Sequence, residues 1–157
     1  MTQCDSKDCF VASLNYSGAP LDQLAYLAEL SASCRQRIDF DCLHAPISDF
    51  GSWIDRNGER QTYFTGSNFG EKICGCSENS TCKYSPKEAL CNCDHGTHTE
   101  EWLEDSGYVT NSSALPIAEF RYGLLMGKSQ AKITVGPLEC SGETIIGAAG
   151  TSCATYK

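Results

Sequence analysis

The sequence CGCSENSTCKYSPKEALCNC at residues 74–93 carries five of the chain's eleven cysteines. They form two Cys-x-Cys pairs with one further cysteine between them. Such a density leaves no room for a long amphipathic helix or a buried strand. We therefore expect residues 74–93, called the knot below, to be a compact, loop-rich segment held by covalent bonds. We expect the rest of the chain to form the folded scaffold to which the knot is attached.

Disulfide bonds and zinc coordination are the two explanations for eleven cysteines in 157 residues. A cytosolic zinc protein would use Cys-x-x-Cys pairs at matching distances, and the sequence contains none. Acceptor motifs for asparagine glycosylation begin at Asn15, Asn79 and Asn111. Together these features favour disulfides, an oxidising compartment and a secreted, extracellular glycoprotein. Because eleven is odd, one thiol stays free or bonds to another chain.

Charge and hydropathy exclude several classes of partner. The chain has 12 basic and 20 acidic residues, a net charge of −8, and its basic residues are dispersed. A nucleic-acid surface needs clustered Lys and Arg, so we expect no nucleic-acid partner. No run of about 18 apolar residues occurs, so we expect no membrane insertion. The first residues lack the features of a signal peptide, so we expect a secreted form to have lost its leader.

The chain divides into three predicted parts. Residues 1–18 are short and polar, and predict an N-terminal arm tied down by disulfides through Cys4 and Cys9. Residues 19–142 form the folded domain. Residues 143–157 are rich in Gly and Ala and predict a tail.

One helix is clearly predicted. Pro20 suits the first turn of a helix, and Leu21, Leu24 and Ala28 recur with helical spacing. The apolar pattern predicts a helix of about ten to twelve residues.

The remaining signals are those of β structure. A half-buried strand is predicted by the alternation of Ile38, Phe40 and Cys42 with two aspartates. Asn57-Gly58 predicts a hairpin over residues 52–64, with Trp53 in the core. Short apolar segments separated by turns follow the knot. The predicted fold class is α+β, a disulfide-rich single domain with a small antiparallel sheet, one main helix and long loops.

Residues 94–105, called the acidic segment below, have five carboxylates and no Lys or Arg. Asp94, Glu101 and Asp105 could supply oxygen ligands to calcium. A transition metal on the two histidines of the segment is a weaker alternative. We favour a third interpretation, a solvated acidic loop, so that no cofactor is required and calcium is the one to test.

No motif of an enzyme is present. The sequence lacks a Gly-x-Ser-x-Gly elbow, a His-Glu-x-x-His helix and a phosphate-binding loop. A cysteine nucleophile requires a thiolate, and the expected disulfides remove most of the candidates. We therefore expect a non-enzymatic protein.

The order of these elements resembles the fibrinogen-like module of the contactin-associated (neurexin-IV-type) cell-surface proteins. It is more distantly similar to the C-propeptide of fibrillar collagens. The resemblance covers about residues 20–142 and rests on Leu24, Cys34, Cys42, Trp53, Cys74, Cys76, Cys82, Cys91, Asn92, Cys93, Asp94, Trp102, Asp105, Gly107, Leu115, Pro116, Gly136, Pro137, Leu138 and Cys140. The calcium loop of the fibrinogen family and the trimer-contact segment of the collagen propeptides are absent, so neither property is carried over.

The resemblance implies a fibrinogen C-terminal-like fold and part of a disulfide map. The collagen-type pattern implies that Cys42 bonds to Cys91 or Cys93, and that Cys140 bonds to Cys4 or Cys9. Neighbouring Cys-x-Cys sulfurs rarely bond to each other. We therefore expect Cys74, Cys76 and Cys82 to bond outside the knot, one of them to Cys34. Cys153 is then the odd or intermolecular thiol.

Two functions fit this sequence. The first is an adhesion or matrix module that binds an extracellular protein. The second is a soluble lectin, because fibrinogen-like folds often bind sugars; its ligand candidates are Trp102, Tyr108 and Tyr63. A disulfide-linked or non-covalent homo-oligomer would add avidity to either function.

Overall fold

Two antiparallel sheets account for most of the regular secondary structure in the part of the chain that the structure describes. The computed structural model describes residues 4, 6, 8–48, 50–62, 74–78, 80–83, 91–95, 100–123, 125 and 127–143. In chain order the elements are β1 (Phe10–Ser13), α1 (Leu21–Leu30), β2 (Ser31–Leu43), β3 (Gly51–Ile54), β4 (Arg60–Gln61), α2 (Gly75–Glu78), α3 (Asn92–His95), β5 (Leu103–Val109), β6 (Glu119–Tyr122) and β7 (Gln130–Glu143). The four-stranded sheet has the order β1-β6-β3-β4, and the three-stranded sheet the order β5-β2-β7. The prediction of a small, disulfide-rich domain with antiparallel sheet and few helices is therefore confirmed.

The predicted helix is confirmed as α1. It starts after Pro20, whose carbonyl accepts the backbone N–H of Leu24 at 3.2 Å, and it buries Ala28. Ser31 ends the helix, because its backbone is extended and its Oγ donates to the carbonyl of Leu27 at 2.8 Å. The chain passes from α1 into β2 without a loop. Among the helices of the described residues, none has the length and apolar character needed to cross a membrane.

Strand β2 lies at the centre of the three-stranded sheet and joins it to the core. Its inward side chains, each at most 3% exposed, are Cys34, Gln36, Ile38, Phe40 and Cys42. The ring of Phe40 lies 6.3 Å from that of Phe120 and 5.5 Å from that of Tyr122, both on β6. The core therefore lies between the two sheets. The predicted strand is confirmed, but it begins earlier, at Ser31.

The predicted hairpin is confirmed within the described residues. Strands β3 and β4 pair antiparallel, and Trp53 is fully buried as predicted. Gly58 has a φ of 84°, which glycine adopts at little cost. The buried carboxylate of Asp55 fixes the turn, because its Oδ1 accepts the N–H groups of Asn57 at 2.8 Å and Glu59 at 3.0 Å.

The N-terminal arm is joined to the domain by strand pairing. Strand β1 pairs with β6, and the backbone N–H of Cys4 donates to the carbonyl of Leu125 at 3.3 Å. The disulfide Cys4–Cys9 closes a loop within the arm. The expectation that Cys140 bonds to Cys4 or Cys9 is therefore wrong.

Cys140 bonds instead to Cys34. The two residues lie directly opposite each other in the register of β2 and β7, with their Cα atoms 4.1 Å apart. The expectation that Cys34 bonds to the knot is wrong for the same reason. The register of two long strands decides this pairing.

Two disulfides close the knot on itself, which corrects the expectation that its first three cysteines bond elsewhere. These disulfides are Cys74–Cys91 and Cys76–Cys82. A third disulfide joins Cys93 of the knot to Cys42 of β2, and Cys93 is one of the two partners that the resemblance implied for Cys42. The short helix α2 lies within the knot, and α3 begins in the knot and ends two residues beyond it, at His95.

Candidate functional site

The solvent-facing side of the three-stranded sheet carries a regular array of charged and aromatic side chains. Side chains alternate along a strand, so residues between the buried positions point outward. We call this surface the outer face and define it by Arg35, Arg37, Asp39 and Asp41 of β2, Glu104, Ser106 and Tyr108 of β5, and Lys132, Thr134 and Glu139 of β7. Each of these residues is partly or fully exposed.

Ion pairs arrange the charges of the outer face. Measured between nitrogen and oxygen, they are Arg35–Glu139 at 2.7 Å, Arg37–Asp39 at 2.8 Å and Lys132–Asp41 at 3.7 Å. The hydrogen bond to Glu139 raises the pKa of the Arg35 guanidinium, which therefore stays charged. Exposed ion pairs contribute little to folding stability. Their effect here is to place opposite charges side by side on the outer face.

Tyr108 lies under two guanidinium groups at one end of the outer face. The guanidinium carbon of Arg35 is 4.3 Å from the ring centroid, and that of Arg37 is 5.7 Å away. The backbone of Tyr108 is opposite Arg37 in the β2–β5 register. A tyrosine covered by arginines has the composition of energetic centres in protein interfaces.

Trp102 lies at the other end. It is 49% exposed and directly precedes β5, where alternation places it on the same side as Glu104 and Tyr108. Tyr108 lies six positions after Trp102, or about 20 Å along an extended chain. The two predicted ligand residues therefore share one face but do not converge on one point. The third, Tyr63, lies outside the described residues.

Asp105 of β5 points inward, toward the knot, and is 5% exposed. Its Oδ1 accepts the N–H of Asn92 at 2.9 Å, and its Oδ2 accepts the N–H of Cys93 at 2.7 Å. The pKa of Asp105 is raised to about 6, mainly because burial disfavours the charged carboxylate. The charges of Asp94 and Glu104 also raise this pKa, and the hydrogen bonds from Cys93 and Asn92 offset part of the rise. The interpretation of the acidic segment as a solvated loop is therefore wrong for Asp105, which fixes α3 to β5.

The other two predicted calcium ligands also have protein partners. Oδ1 of Asp94 accepts the N–H groups of Ile47 and Ser48, both at 3.0 Å. The carboxylate of Glu101 pairs with the Lys83 ammonium at 2.7 Å. Asp94 thus fixes the chain that follows β2, and Glu101 forms an exposed pair on the surface of the knot.

A metal centre is not assembled from these residues. Within the described ranges, the one group of three or more metal-ligating side chains within 4.8 Å of one another is Cys74, Cys91 and Asp105. Since Cys74 and Cys91 are bonded to each other, they offer no thiolate. The carboxylates of Asp94, Glu101 and Asp105 do not form such a group. The calcium site stays a prediction that this geometry does not favour.

The described glycosylation acceptors lie at the surface. Asn15 is exposed in the connection between β1 and α1, and Asn111 is partly exposed after β5. Asn79 lies outside the described residues, as does Cys153, the predicted odd thiol. The roles predicted for these residues stay predictions.

Sequence reasoning missed the two arginines that cover Tyr108. A signal was present in β2, where Arg35, Arg37, Asp39 and Asp41 alternate with inward residues. The register that brings β5 beside them depends on pairing between strands distant in sequence.

Comparison with known proteins identifies several proteins of similar sequence. No family model matches the chain. Human contactin-associated protein 1 is 28% identical over 141 residues, which is 85% of this chain and 10% of the relative. The mouse protein is 30% identical over 142 residues, with the same coverage. Neurexin-4 of Drosophila melanogaster is 28% identical over 149 residues, which is 87% of this chain and 11% of the relative. The chain is homologous to a segment of these proteins. It spans about a tenth of their length.

Proposed function

We propose that the chain is a non-enzymatic extracellular recognition module of the cell-adhesion type, which binds a protein partner through the outer face. Homology over 85% of the chain to contactin-associated protein 1 carries the proposal. Five disulfides among the described residues support an oxidising, extracellular location.

The shape of the outer face favours a protein partner over a sugar. A lectin site needs an aromatic platform with polar groups converging beside it, whereas Trp102 and Tyr108 lie about 20 Å apart along the strand direction. A standard protein interface buries about 800 Å² per partner, and a surface of that length is long enough to supply such an interface. Tyr, Trp and Arg are also the residues enriched among energetic centres of such interfaces.

We also propose that the module is of the fibrinogen-like type. Support comes from the resemblance over residues 20–142 and from the bond between Cys42 and Cys93, which the collagen-type pattern implied. The pairing of Cys34 with Cys140 departs from that pattern. The proposal therefore concerns the central segment rather than the complete disulfide map.

Contactin is the first partner to test, because the vertebrate relatives are named for their association with it. The oxidised chain, secreted from a eukaryotic host, would be measured against immobilised contactin by biolayer interferometry. We expect Tyr108→Ala and Trp102→Ala each to weaken binding by roughly tenfold or more, the effect of removing a residue worth about 1.4 kcal/mol or more. Tyr26→Ala is the matched control, since Tyr26 is 61% exposed on α1 and lies outside the outer face.

Two results would count against the proposal. Equal loss of binding in the Tyr26 variant, or none in the Tyr108 and Trp102 variants, would remove the outer face as the binding site. Binding of the wild-type chain to a coherent set of sugars on a glycan array, with no protein partner, would establish the lectin instead. Loss of that sugar binding with a chelator would restore the calcium prediction.

A further inference from the structure

The glycosylation acceptor at Asn111 lies beside a polar depression that is separate from the outer face. We propose that Asn111 carries an N-linked glycan whose first sugars rest in this depression, against the β3–β4 hairpin. The inference rests on the secretory location in the proposed function and is independent of which partner the outer face binds.

The local structure leaves the correct atom of Asn111 free. Oδ1 of Asn111 accepts the backbone N–H of Ser113 at 3.1 Å and its hydroxyl at 2.7 Å. The carbonyl of Asn111 accepts the N–H of Ala114 at 3.0 Å. The amide oxygen of Asn111 thus points toward Ser113, the third residue of the acceptor motif. Nδ2, the atom that carries an N-linked glycan, has no hydrogen-bond partner among the described residues.

Hydrogen bonds connect the walls of the depression. It has a volume of about 560 Å³ and is bounded by Asn111, Ser113 and the β3–β4 hairpin. The side chain of Asn57 donates to the carbonyl of Ser113 at 3.1 Å, which joins the hairpin to the acceptor. Arg60 at the rim forms two hydrogen bonds to Asp8, each of 2.6 Å. A sugar entering this space would therefore meet a preformed surface.

The chemistry of the lining suits carbohydrate. The lining contains no large apolar side chain, and its volume falls in the range of about 300–1,000 Å³ typical of small-molecule sites. The side chains of Glu59 and Thr62 line the depression and have no partner among the described residues. A carboxylate and a hydroxyl can accept hydrogen bonds from sugar hydroxyls and from an N-acetyl N–H, and the hydroxyl can also donate.

The test uses the chain secreted from a eukaryotic host. Glycopeptide mass spectrometry measures occupancy at Asn111. The rate at which peptide N-glycosidase F releases this glycan is then compared between the native and the denatured protein. We expect Asn111 to carry a glycan. We expect this glycan to be released from the native protein at least about tenfold more slowly than from the denatured protein, which corresponds to about 1.4 kcal/mol of interaction with the depression. The double variant Glu59→Ala/Thr62→Ala should release the native glycan faster and leave the denatured rate unchanged.

A glycan on the exposed Asn15, measured in the same sample, is the internal control and should stay as accessible in the double variant as in the wild type. An unoccupied Asn111 in folded, secreted protein would overturn the inference. So would a native release rate equal to the denatured rate. If the double variant is not secreted, the native-to-denatured ratio at Asn111 is compared with that at the exposed Asn15 in the wild type, and equal ratios would overturn the inference. Because no partner is used, failure here leaves the proposed function untouched.

Discussion

Cys93 donates its backbone N–H to the buried carboxylate of Asp105 at 2.7 Å, across the junction between the knot and the three-stranded sheet. Asn92 donates to the other oxygen of the same carboxylate. Since the Cys93 sulfur is bonded to Cys42 of β2, one residue is held to the sheet both covalently and by a hydrogen bond. The junction is therefore the point at which the position of the knot is fixed.

The first prediction concerns the pH dependence of stability at Asp105. The folded pKa is about 6 against an ordinary value of 3.8, so the native state holds this proton more tightly than the unfolded state. The stabilisation of the folded state by the proton on Asp105 is complete below pH 3.8 and is lost as pH rises through 6. The gap between the two pKa values corresponds to about 3 kcal/mol.

Urea unfolding of the wild type and Asp105→Asn, at intervals from pH 3.5 to pH 7.5, measures this effect. The asparagine does not titrate. We therefore expect the free energy of unfolding of the wild type, relative to that of the variant, to fall by about 3 kcal/mol over this range. A wild-type minus Asp105→Asn difference that is constant with pH would contradict the prediction.

The second prediction concerns Gln36, which is fully buried. Its Oε1 accepts the N–H of Ile117 at 2.9 Å, and its Nε2 donates to the Tyr16 hydroxyl at 2.8 Å and to the carbonyl of Gly136 at 2.9 Å. Gln36→Met would leave the Ile117 and Gly136 groups buried without partners. We expect a loss of about 3 kcal/mol in the free energy of unfolding, measured by urea denaturation. Tyr16→Phe leaves both of those bonds in place but removes the bond that the Tyr16 hydroxyl donates to the carbonyl of Ile117, and should cost about 1–2 kcal/mol. A larger loss in Tyr16→Phe than in Gln36→Met would refute this account.

The third prediction concerns the arginines over Tyr108. In a double-mutant cycle with Tyr108→Leu, Arg35→Met should show a coupling of about 0.5–1 kcal/mol, the value of an exposed cation–π contact. Arg37→Met should couple more weakly, because its guanidinium lies 5.7 Å from the ring centroid against 4.3 Å for Arg35. Thermal or urea unfolding of the four proteins in each cycle gives the coupling. A reversed order of the two values would show that packing, and not the guanidinium, governs the contact.

The fourth prediction ranks two disulfides. Cys42–Cys93 spans 51 residues and Cys76–Cys82 spans 6. In the chain-entropy model, removing the first pair as a double alanine variant should cost about 4 kcal/mol and removing the second about 2 kcal/mol. Urea unfolding of the oxidised variants measures both. A larger loss from the short pair would mean that native contacts in the knot outweigh the constraint on the unfolded chain.

The strongly periodic parts of the fold could be predicted from the sequence. Helix α1 follows from a wide apolar stripe after Pro20, and the hairpin follows from Asn57-Gly58. The start of β2 could not be predicted in the same way, because Gln36 interrupts the apolar alternation with a polar side chain. Its burial depends on partners distant in sequence, such as Ile117. The missed start placed Cys34 outside the strand and so hid its pairing with Cys140.

The site was predictable only in part. Tyr108 and Trp102 could be selected as exposed aromatics, but their separation depends on the direction of β5. The sequence places Asp105 among solvated carboxylates, because nothing in the local sequence shows that α3 lies against it. A carboxylate becomes a buried acceptor only when tertiary structure brings backbone N–H groups to it.

Because Cys74–Cys91 and Cys76–Cys82 both begin and end within the knot, changes of length inside it do not alter the register of β2 with its neighbours. The entropy cost of closing a longer loop grows only slowly with its length. We therefore expect insertions between the half-cystines of the knot to disturb the domain less than insertions within β2, β5 or β7. The sheet that carries the outer face would keep its geometry throughout such diversification.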